Sequence, residues 1–176
     1  MFVLGIDPGV SRCGYGCVER RGGRLRPIAG GVIESDPRDP LPDRLAQLWS
    51  ELVDLIAELT PSVVAVERVF FQTNVRTAMS VGQASGLALA AASRAGCEVV
   101  QYTANEVKQS VAGYGAADKR QVQQMVRVLL DLPALPEPPD AADALALAIC
   151  HATVAPLLER IAAGGQRGAG MIGVRG

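Results

Sequence analysis

Three short apolar runs, rich in β-branched residues and separated by stretches with helical periodicity, constrain the fold more than any other feature. They cover residues 2–7, 62–68 and 97–103, and each is too short for a core helix. Between the first two, residues 13–20 and 24–35 flank an Arg-Gly-Gly turn, a pattern typical of a β-hairpin. Three strands followed by alternating helices and strands predict an α/β domain with a five-stranded mixed β-sheet flanked by helices.

The helices are predicted by apolar residues at helical spacing and by capping residues. Thr103 and Glu106 have the spacing of a capping box, and Asp118 can cap the helix that follows it. A proline-rich break precedes an alanine-rich run that predicts the last helix. The predicted helices cover residues 42–60, a small-residue segment containing 82–93, a short helix carrying Lys108, 118–132 and 140–154.

Composition limits the class of protein. With 176 residues, 49% of them hydrophobic, and a net charge of −1, the chain can bury one core and is not a uniformly basic nucleic-acid coat protein. We predict one domain over residues 1–156 and a glycine-rich, disordered tail over 157–176. The four cysteines lack paired spacing, so we expect reduced, buried thiols. No segment resembles a signal peptide or a membrane span, so we expect a soluble, cytoplasmic protein.

Four carboxylates stand at positions that favour chemistry. Asp7 and Glu67 each end an apolar strand, and if these strands are parallel neighbours, both carboxylates emerge at the same edge of the sheet. Asp140 and Asp143 are three residues apart and therefore share one face of the last helix. The alanines between them would let that helix approach the sheet closely. Taken singly, each acid has an ordinary alternative: a turn former, a solvent-exposed strand end or a helix N-terminal acid.

A cluster of four carboxylates requires a cation. Two like charges at 4 Å repel by roughly 4 kcal/mol at an effective dielectric constant of 20. An all-oxygen set of ligands favours Mg²⁺ or Mn²⁺ over zinc. Two such ions, about 3.5–4 Å apart, can hold a scissile phosphate while one activates water and the other stabilises the leaving oxygen. By analogy with such sites we expect Asp7, placed centrally on the first strand, to bridge the ions.

Several motifs along the chain occur together in one nuclease family. They are GIDPG near the N-terminus, VERVFF, the GQASG helix, VKQSVAGYG, QVQQMV and DAADALALAICH. In this order, over residues 1–154, they resemble the RuvC Holliday junction resolvases, within the RNase H-like nuclease superfamily. The resemblance implies an RNase H-like fold and a metal-dependent endonuclease that resolves four-way DNA junctions by paired symmetric nicks, in recombination and DNA repair.

The resemblance also assigns the functional groups. It implies that the catalytic residues and metal ligands are the four carboxylates already named, Asp7, Glu67, Asp140 and Asp143. It implies two Mg²⁺ ions per site, with Mn²⁺ as an alternative. It further implies that the protein acts as a homodimer on junction DNA and works with the RuvA and RuvB branch-migration complex.

Basic residues near the predicted site are candidates for DNA contacts. The chain has 15 arginines but only two lysines, Lys108 and Lys119, both near helix N-termini, with Arg120 beside the second. Their placement follows either from composition alone or from a patch that holds the phosphate backbone. The resemblance favours DNA contacts at both lysines, and we include Arg120 and Arg76 in the predicted DNA-binding set.

Phe70 is the last predicted DNA contact. Only seven residues are aromatic, and two of them, Phe70 and Phe71, are adjacent in a polar loop. Adjacent residues in an extended loop point to opposite sides, so at most one is expected to face the core. Phe70 either covers a neighbouring helix or lies exposed near Glu67, where its ring can stack on an unpaired base. The resemblance implies the second role, because the family has an aromatic residue at this position.

Two further features have alternative interpretations. The spacing of Gly82 and Gly86 fits either close packing of their helix on the sheet or a helix–helix contact in a dimer, and the resemblance favours the dimer. His151 shares roughly one helix face with Asp140. We expect it to be a capping or solvated residue rather than a metal ligand.

Three other functions compete with a junction-resolving nuclease. GIDPG also opens sugar kinases and actin-like ATPases, but those need a second such domain and a second glycine-rich phosphate loop, for which one domain has no room. A non-catalytic junction-binding subunit would be favoured if one of the four carboxylates were missing, and none is. A ribonuclease of the same superfamily can be separated only by comparing substrates.

Overall fold

Within the described residues, the fold consists of five strands and five helices. The computed structural model describes residues 1–68 and 75–168, with side chains described within 1–68 and 78–156. The strands are β1 (Phe2–Asp7), β2 (Arg12–Arg21), β3 (Arg24–Glu34), β4 (Val63–Glu67) and β5 (Glu98–Tyr102). The helices are α1 (Leu41–Leu59), α2 (Val75–Arg94), α3 (Ala104–Ala112), α4 (Lys119–Leu129) and α5 (Pro139–Gly168). Among the described helices, none has the length and hydropathy of a membrane span.

The strands form one sheet in the order β3-β2-β1-β4-β5. β1, β2 and β3 are antiparallel neighbours, whereas β1, β4 and β5 run parallel. Ile6 pairs with Val66, and Glu67 pairs with Tyr102, so the carboxyl ends of the three parallel strands lie at one edge. The predicted α/β fold with a five-stranded mixed sheet is confirmed, including the parallel pairing that brings Asp7 and Glu67 to the same edge.

Helices cover both faces of the sheet. Alternate residues of β1 point to opposite faces: Val3 packs in the core under α3, α4 and α5, and Leu4 packs against α1 and α2. Residues 144–152 of α5 are all buried, because this helix lies between the sheet on one side and α3 and α4 on the other. α5 is therefore the central helix of the domain.

Glycines in β1 and β2 allow α5 to lie unusually close to the sheet. A Cβ atom added to Gly5 would be 1.9 Å from the carbonyl oxygen of Ala144, and one added to Gly14 would be 2.2 Å from that of Asp140. The alanines on the helix side, Ala141 and Ala142, are buried as predicted. The close approach therefore depends on the sheet glycines as well as on the helix alanines.

The local capping predictions are confirmed. Thr103 and Glu106 form a capping box at the start of α3, and Asp118 forms one with Gln121 at the start of α4. The hairpin turn contains Gly22 and Gly23, both with positive φ, a conformation that glycine adopts at little cost.

The C-terminal part differs from the expectation of a disordered tail. Helix α5 includes residues 157–168, which the sequence places in the tail. Residues 169–176 lie outside the described residues, and the domain division at residue 156 stays a prediction. All four cysteines are free thiols; Cys97 is half-buried and the other three are buried, as expected.

Candidate active site

A cavity of about 290 Å³ opens at the edge where the parallel strands end. Three of the predicted carboxylates line it: Asp7 from β1, Glu67 from β4 and Asp143 from α5. Lys108 of α3 and Lys119 of α4 line the same cavity. The structure thus brings together five of the residues that the sequence analysis selected. Apolar side chains of α3, α4 and α5 complete the wall.

Acidic side chains outnumber basic ones in the lining of this cavity. Burial, and after it the negative charges of the other three carboxylates, raises the pKa of Asp7 to about 7. Burial also raises the pKa of Glu67, in opposition to a hydrogen bond with Asp7 that lowers it. Carboxyl groups whose ionisation is this unfavourable fit a bound cation, which would lower both pKa values again.

Two basic side chains hold the two carboxylates of α5. Lys119 Nζ donates a hydrogen bond to Asp143 Oδ2 at 2.6 Å, and this bond raises the pKa of Lys119. Arg12 Nε and Nη2 both lie 3.0 Å from Asp140 Oδ2. Asp140 is not among the residues that line the cavity. The fourth predicted carboxylate therefore lies beside the cavity, paired with arginine.

The donor set fits a hard divalent cation, since every candidate ligand offers carboxylate oxygen. Within the part of the chain that the structure describes, however, no three His, Cys, Asp or Glu side chains are arranged to hold an ion as they stand. In this arrangement each of the two predicted carboxylates of α5 is paired with a protein cation, Asp140 with Arg12 and Asp143 with Lys119.

His151 is not a candidate ligand, and its predicted surroundings were wrong. The side chain is only 4% exposed rather than solvated. Its Nδ1 lies 2.9 Å from Tyr102 Oη, and the two rings are close neighbours. Tyr102 of β5 packs against this side of α5, and sequence periodicity did not show that α5 is covered there.

The other predicted DNA contacts are placed only in part. Arg120 is exposed and follows Lys119 on α4. Arg76 belongs to the first turn of α2, but its side chain lies outside the described residues. Phe70 also lies outside them.

The sequence analysis missed Arg12 and Glu34, which form an ion pair next to the site. The predicted hairpin could have indicated their position near the site. A strand antiparallel to β1 must begin at the edge where β1 ends, so the first residue of β2 lies near Asp7. The register then pairs Arg12 with Glu34.

The exposure of α2 decides between the two interpretations of the Gly82 and Gly86 spacing. Gly82 and Gly86 are exposed, and a Cβ added to either would meet no atom within 4 Å. Among the described side chains of α2, the buried ones are instead Ala84, Ser85, Ala88, Ala91 and Ala92. The alternative that the two glycines pack on the sheet is wrong.

A mixed sheet of this order, with carboxylates at the ends of its parallel strands and two more on the covering helix, defines an RNase H-like nuclease. The sequence profile of the family described as crossover junction endodeoxyribonuclease RuvC matches residues 3–151. The chain belongs to this family, whose members are nucleases that hydrolyse phosphodiester bonds. The family inferred from the motifs is confirmed.

Individual relatives agree with this assignment. The chain is 53% identical over 160 residues to the crossover junction endodeoxyribonuclease RuvC of Chloroflexus aggregans, covering 91% of this chain and 98% of the relative. The structure of Thermus thermophilus RuvC in complex with a Holliday junction substrate is similar with a TM-score of 0.85 at 39% identity, covering 89% of this chain and 96% of that one. The yeast mitochondrial Holliday junction resolvase Ydc2, at 15% identity and a TM-score of 0.69, shares the fold and covers 94% and 85%.

Proposed function

We propose that this chain resolves four-way DNA junctions by paired, symmetric nicks, with Asp7, Glu67, Asp140 and Asp143 as its catalytic and metal-binding residues. One observation carries the assignment: Asp7, Glu67 and Asp143, from β1, β4 and α5, line a single cavity together with two lysines. Asp140 is included because it lies beside this cavity, three residues before Asp143 on the same helix. The family is one of divalent-metal-dependent nucleases, which agrees with the all-oxygen donor set.

We propose Mg²⁺ as the metal, with Mn²⁺ as an alternative and two ions per site. When bound, such ions would supply a nucleophilic water and stabilise charge on the leaving oxygen. The half-buried position of Asp7 at the end of the central strand supports its proposed role as the shared ligand, with Glu67 and the carboxylates of α5 completing the set. Without a cation, the raised pKa of Asp7 lets it retain a proton near neutral pH.

The lysines of the cavity are proposed to hold the scissile phosphate. Lys119 extends from the start of α4, and Lys108 from α3, so two elements direct ammonium groups toward the carboxylates. The hydrogen bond to Asp143 favours the charged form of Lys119, which therefore stays cationic when DNA arrives. An ammonium group is a compact partner for a phosphate oxygen.

Three more residues complete the proposed DNA-binding set. Arg120 is exposed beside Lys119 and would contact the phosphate backbone. Arg76 is proposed to do the same from the start of α2. Phe70, three residues after Glu67, is proposed to stack on a base next to the crossover.

Symmetric cleavage of a four-way junction requires two active sites, which supports a homodimer as the working form. The exposed glycine face of α2 fits such a contact, because small residues allow two helices to approach closely. From family membership we also propose cooperation with the RuvA and RuvB branch-migration complex. We propose the cytoplasm as the site of action, since chromosomal DNA is located there in bacteria.

The decisive experiment compares substrates. The protein is incubated with a synthetic four-way junction, a linear duplex of the same sequence and an RNA–DNA hybrid, in Mg²⁺, in Mn²⁺ and in EDTA. We expect paired nicks in the junction alone, and only with metal. Preferential cutting of the hybrid would identify a ribonuclease, and cutting in EDTA would refute the metal-dependent site. Binding of the junction without cleavage in either metal would indicate a non-catalytic subunit.

A further inference from the structure

The guanidinium group of Arg12 lies between two carboxylates that come from different elements. Its Nε and Nη2 both contact Asp140 Oδ2 at 3.0 Å, and its Nη1 donates to Glu34 of β3. The side chains of Arg12 and Asp140 are 45% and 29% exposed, so neither is fully surrounded by water. Asp140 is also the one proposed metal ligand that does not line the cavity.

The backbone fixes this arrangement. Arg12 and Glu34 are paired in the β2–β3 register, so their side chains leave the sheet side by side. Gly14, two residues further along β2, lies against the carbonyl group of Asp140 with no room for a side chain. The start of α5 is thereby held against the strand that carries the arginine. The contact between Arg12 and Asp140 follows from the packing of two rigid elements.

The ion pair between Lys119 and Asp143, the other predicted carboxylate of α5, has a different position. Asp143 lines the cavity while it accepts its hydrogen bond from Lys119, and Lys119 lines the cavity as well. That pair therefore lies inside the site. The ion pair of Arg12 and Asp140 lies beside the cavity, on the side of β2 and β3.

We propose that Arg12 is an internal counter-ion that competes with the divalent metal for Asp140, and that Glu34 weakens its hold by sharing the guanidinium group. This inference rests on the proposed metal site. Without metal, Arg12 neutralises one of four converging negative charges and so stabilises the folded protein. Metal binding turns Asp140 toward the cavity and breaks both contacts with Arg12. Arg12 is thus a positioning residue that sets the affinity for metal.

The test measures metal binding without DNA or cleavage. Wild-type protein and the variant Arg12→Gln are titrated with Mg²⁺ by thermal unfolding and with Mn²⁺ by calorimetry. Removing the competitor should tighten the apparent metal affinity about two- to fivefold, the range for one exposed or half-exposed ion pair. The metal-free variant should melt at a lower temperature than wild type because it has lost an ion pair. Its metal-induced increase in Tm should be larger because it binds metal more tightly. Unchanged or weaker metal binding would overturn the proposal.

A matched control separates a specific contact from a general loss of positive charge. Arg38, in the loop between β3 and α1, pairs with Asp36, and its side chain is 89% exposed. Arg38→Gln removes the same charge at a position that does not contact the four carboxylates. It should leave the metal affinity unchanged. An equal increase in both variants would show that only the net charge matters and would overturn the proposal.

A substitution of Glu34 should change the metal affinity in the opposite direction. This test also applies if Arg12→Gln fails to fold. In Glu34→Gln the guanidinium group is no longer shared, so Arg12 should hold Asp140 more tightly and metal affinity should fall. In the double variant with Arg12→Gln the Glu34 substitution should have no effect. The same decrease in both backgrounds would contradict the proposal. A wild-type protein that binds no metal would refute the proposed site itself, whereas normal wild-type binding that Arg12→Gln leaves unchanged would refute this inference alone.

Discussion

Gly5 of β1 lies directly against the carbonyl oxygen of Ala144, so close that a Cβ atom at position 5 would be 1.9 Å from that oxygen. Ala144 follows Asp143, and Gly5 precedes Asp7 by two residues. The contact therefore sets the distance between the strand and the helix that carry these two carboxylates. Backbone packing in this region positions the proposed active site.

Substitution Gly5→Ala should separate α5 from the sheet. Because the added carbon meets backbone atoms that cannot rotate away, we expect a loss of about 1–3 kcal/mol in the free energy of unfolding. Activity on junctions should fall further than stability, since the carboxylates move apart. Denaturant unfolding and a cleavage assay at a temperature where the variant is folded measure the two effects.

Gly30→Ala is the matched control for this prediction. A Cβ at Gly30 would be 3.7 Å from its nearest neighbours, which is ordinary van der Waals contact. This variant should retain its stability and activity. If Gly5→Ala behaved in the same way, the proposed dependence of the site on this contact would be wrong.

Asp7→Asn should bind junctions normally without cutting them, and it should be more stable than wild type when metal is absent. Asn keeps the shape of the side chain but loses the charge that binds metal. The pKa of Asp7 is raised to about 7 in the native state. Between about pH 4 and 7 the native carboxyl group therefore keeps its proton, whereas the unfolded state has released it. Wild-type stability therefore falls as the pH rises through this window.

The gain from Asp7→Asn should be complete above about pH 7, reach roughly 2–4 kcal/mol and disappear below about pH 4. Denaturant unfolding in EDTA at pH 4, 6 and 8 measures it. A stability difference that is independent of pH would show that Asp7 is not held in an unfavourable charged state. Cleavage of junctions at a wild-type rate in Mg²⁺ would refute its role as a ligand.

Lys119→Ala should weaken junction binding several-fold. Loss of one phosphate contact should also reduce the slope of log K against log salt concentration by about 1, since fewer counter-ions are released. Binding measured at salt concentrations from about 50 to 200 mM tests both effects. Arg94→Ala, an exposed arginine at the far end of α2, is the control and should change neither. An unchanged slope in Lys119→Ala would mean that this lysine does not contact phosphate.

Gly82→Arg should convert the protein to a monomer while leaving it folded. The position is open to solvent in the isolated chain, so the side chain has space, and replacing glycine inside a helix is favourable by about 0.5–1 kcal/mol. Sedimentation at micromolar concentration and circular dichroism measure assembly and folding. Ala57→Arg, on an exposed position of α1, should remain dimeric. A wild-type protein that sediments as a monomer would contradict the proposed homodimer.

Phe70→Ala should fold and bind junctions with a modest loss, about 1–3 kcal/mol at most, the value of one base stack. Cleavage should slow much more, because the ring is proposed to hold the strands open at the crossover. A junction with unpaired bases beside the crossover should partly restore the rate. A decrease of several degrees in Tm would instead show that Phe70 belongs to the core, and full activity on a paired junction would show that it has no role.

Much of the fold and part of the site follow from local patterns. Asp7 and Glu67 could be paired in advance because each ends a buried strand, and a crossover helix between two strands favours parallel neighbours. Asp118 could be assigned as a cap because its side chain bonds to its own helix. These features depend on residues that are close in sequence or on a general rule of topology.

The features that were missed depend on contacts between distant segments. Arg12 and Asp140 are 128 positions apart in the sequence. Their contact depends on Gly14, because a side chain at that position would collide with the start of α5. His151 is buried beside Tyr102 of β5, which is 49 positions away in the sequence. The outward face of α2 could not be identified, since small residues surround that helix and leave no clear apolar side.

Nine consecutive buried residues in α5, from Ala144 to Ala152, have a dynamic consequence. The helix that presents Asp140 and Asp143 therefore holds the longest run of buried residues in the described part of the chain, and the backbone amides of this run are shielded from solvent. Such amides exchange their hydrogens only when the whole domain unfolds, so this helix has no small, local opening motion. Adjustment between enzyme and substrate must therefore come from side chains and from the DNA. A four-way junction, whose arms can move relative to one another, is a substrate able to adapt to so rigid a site.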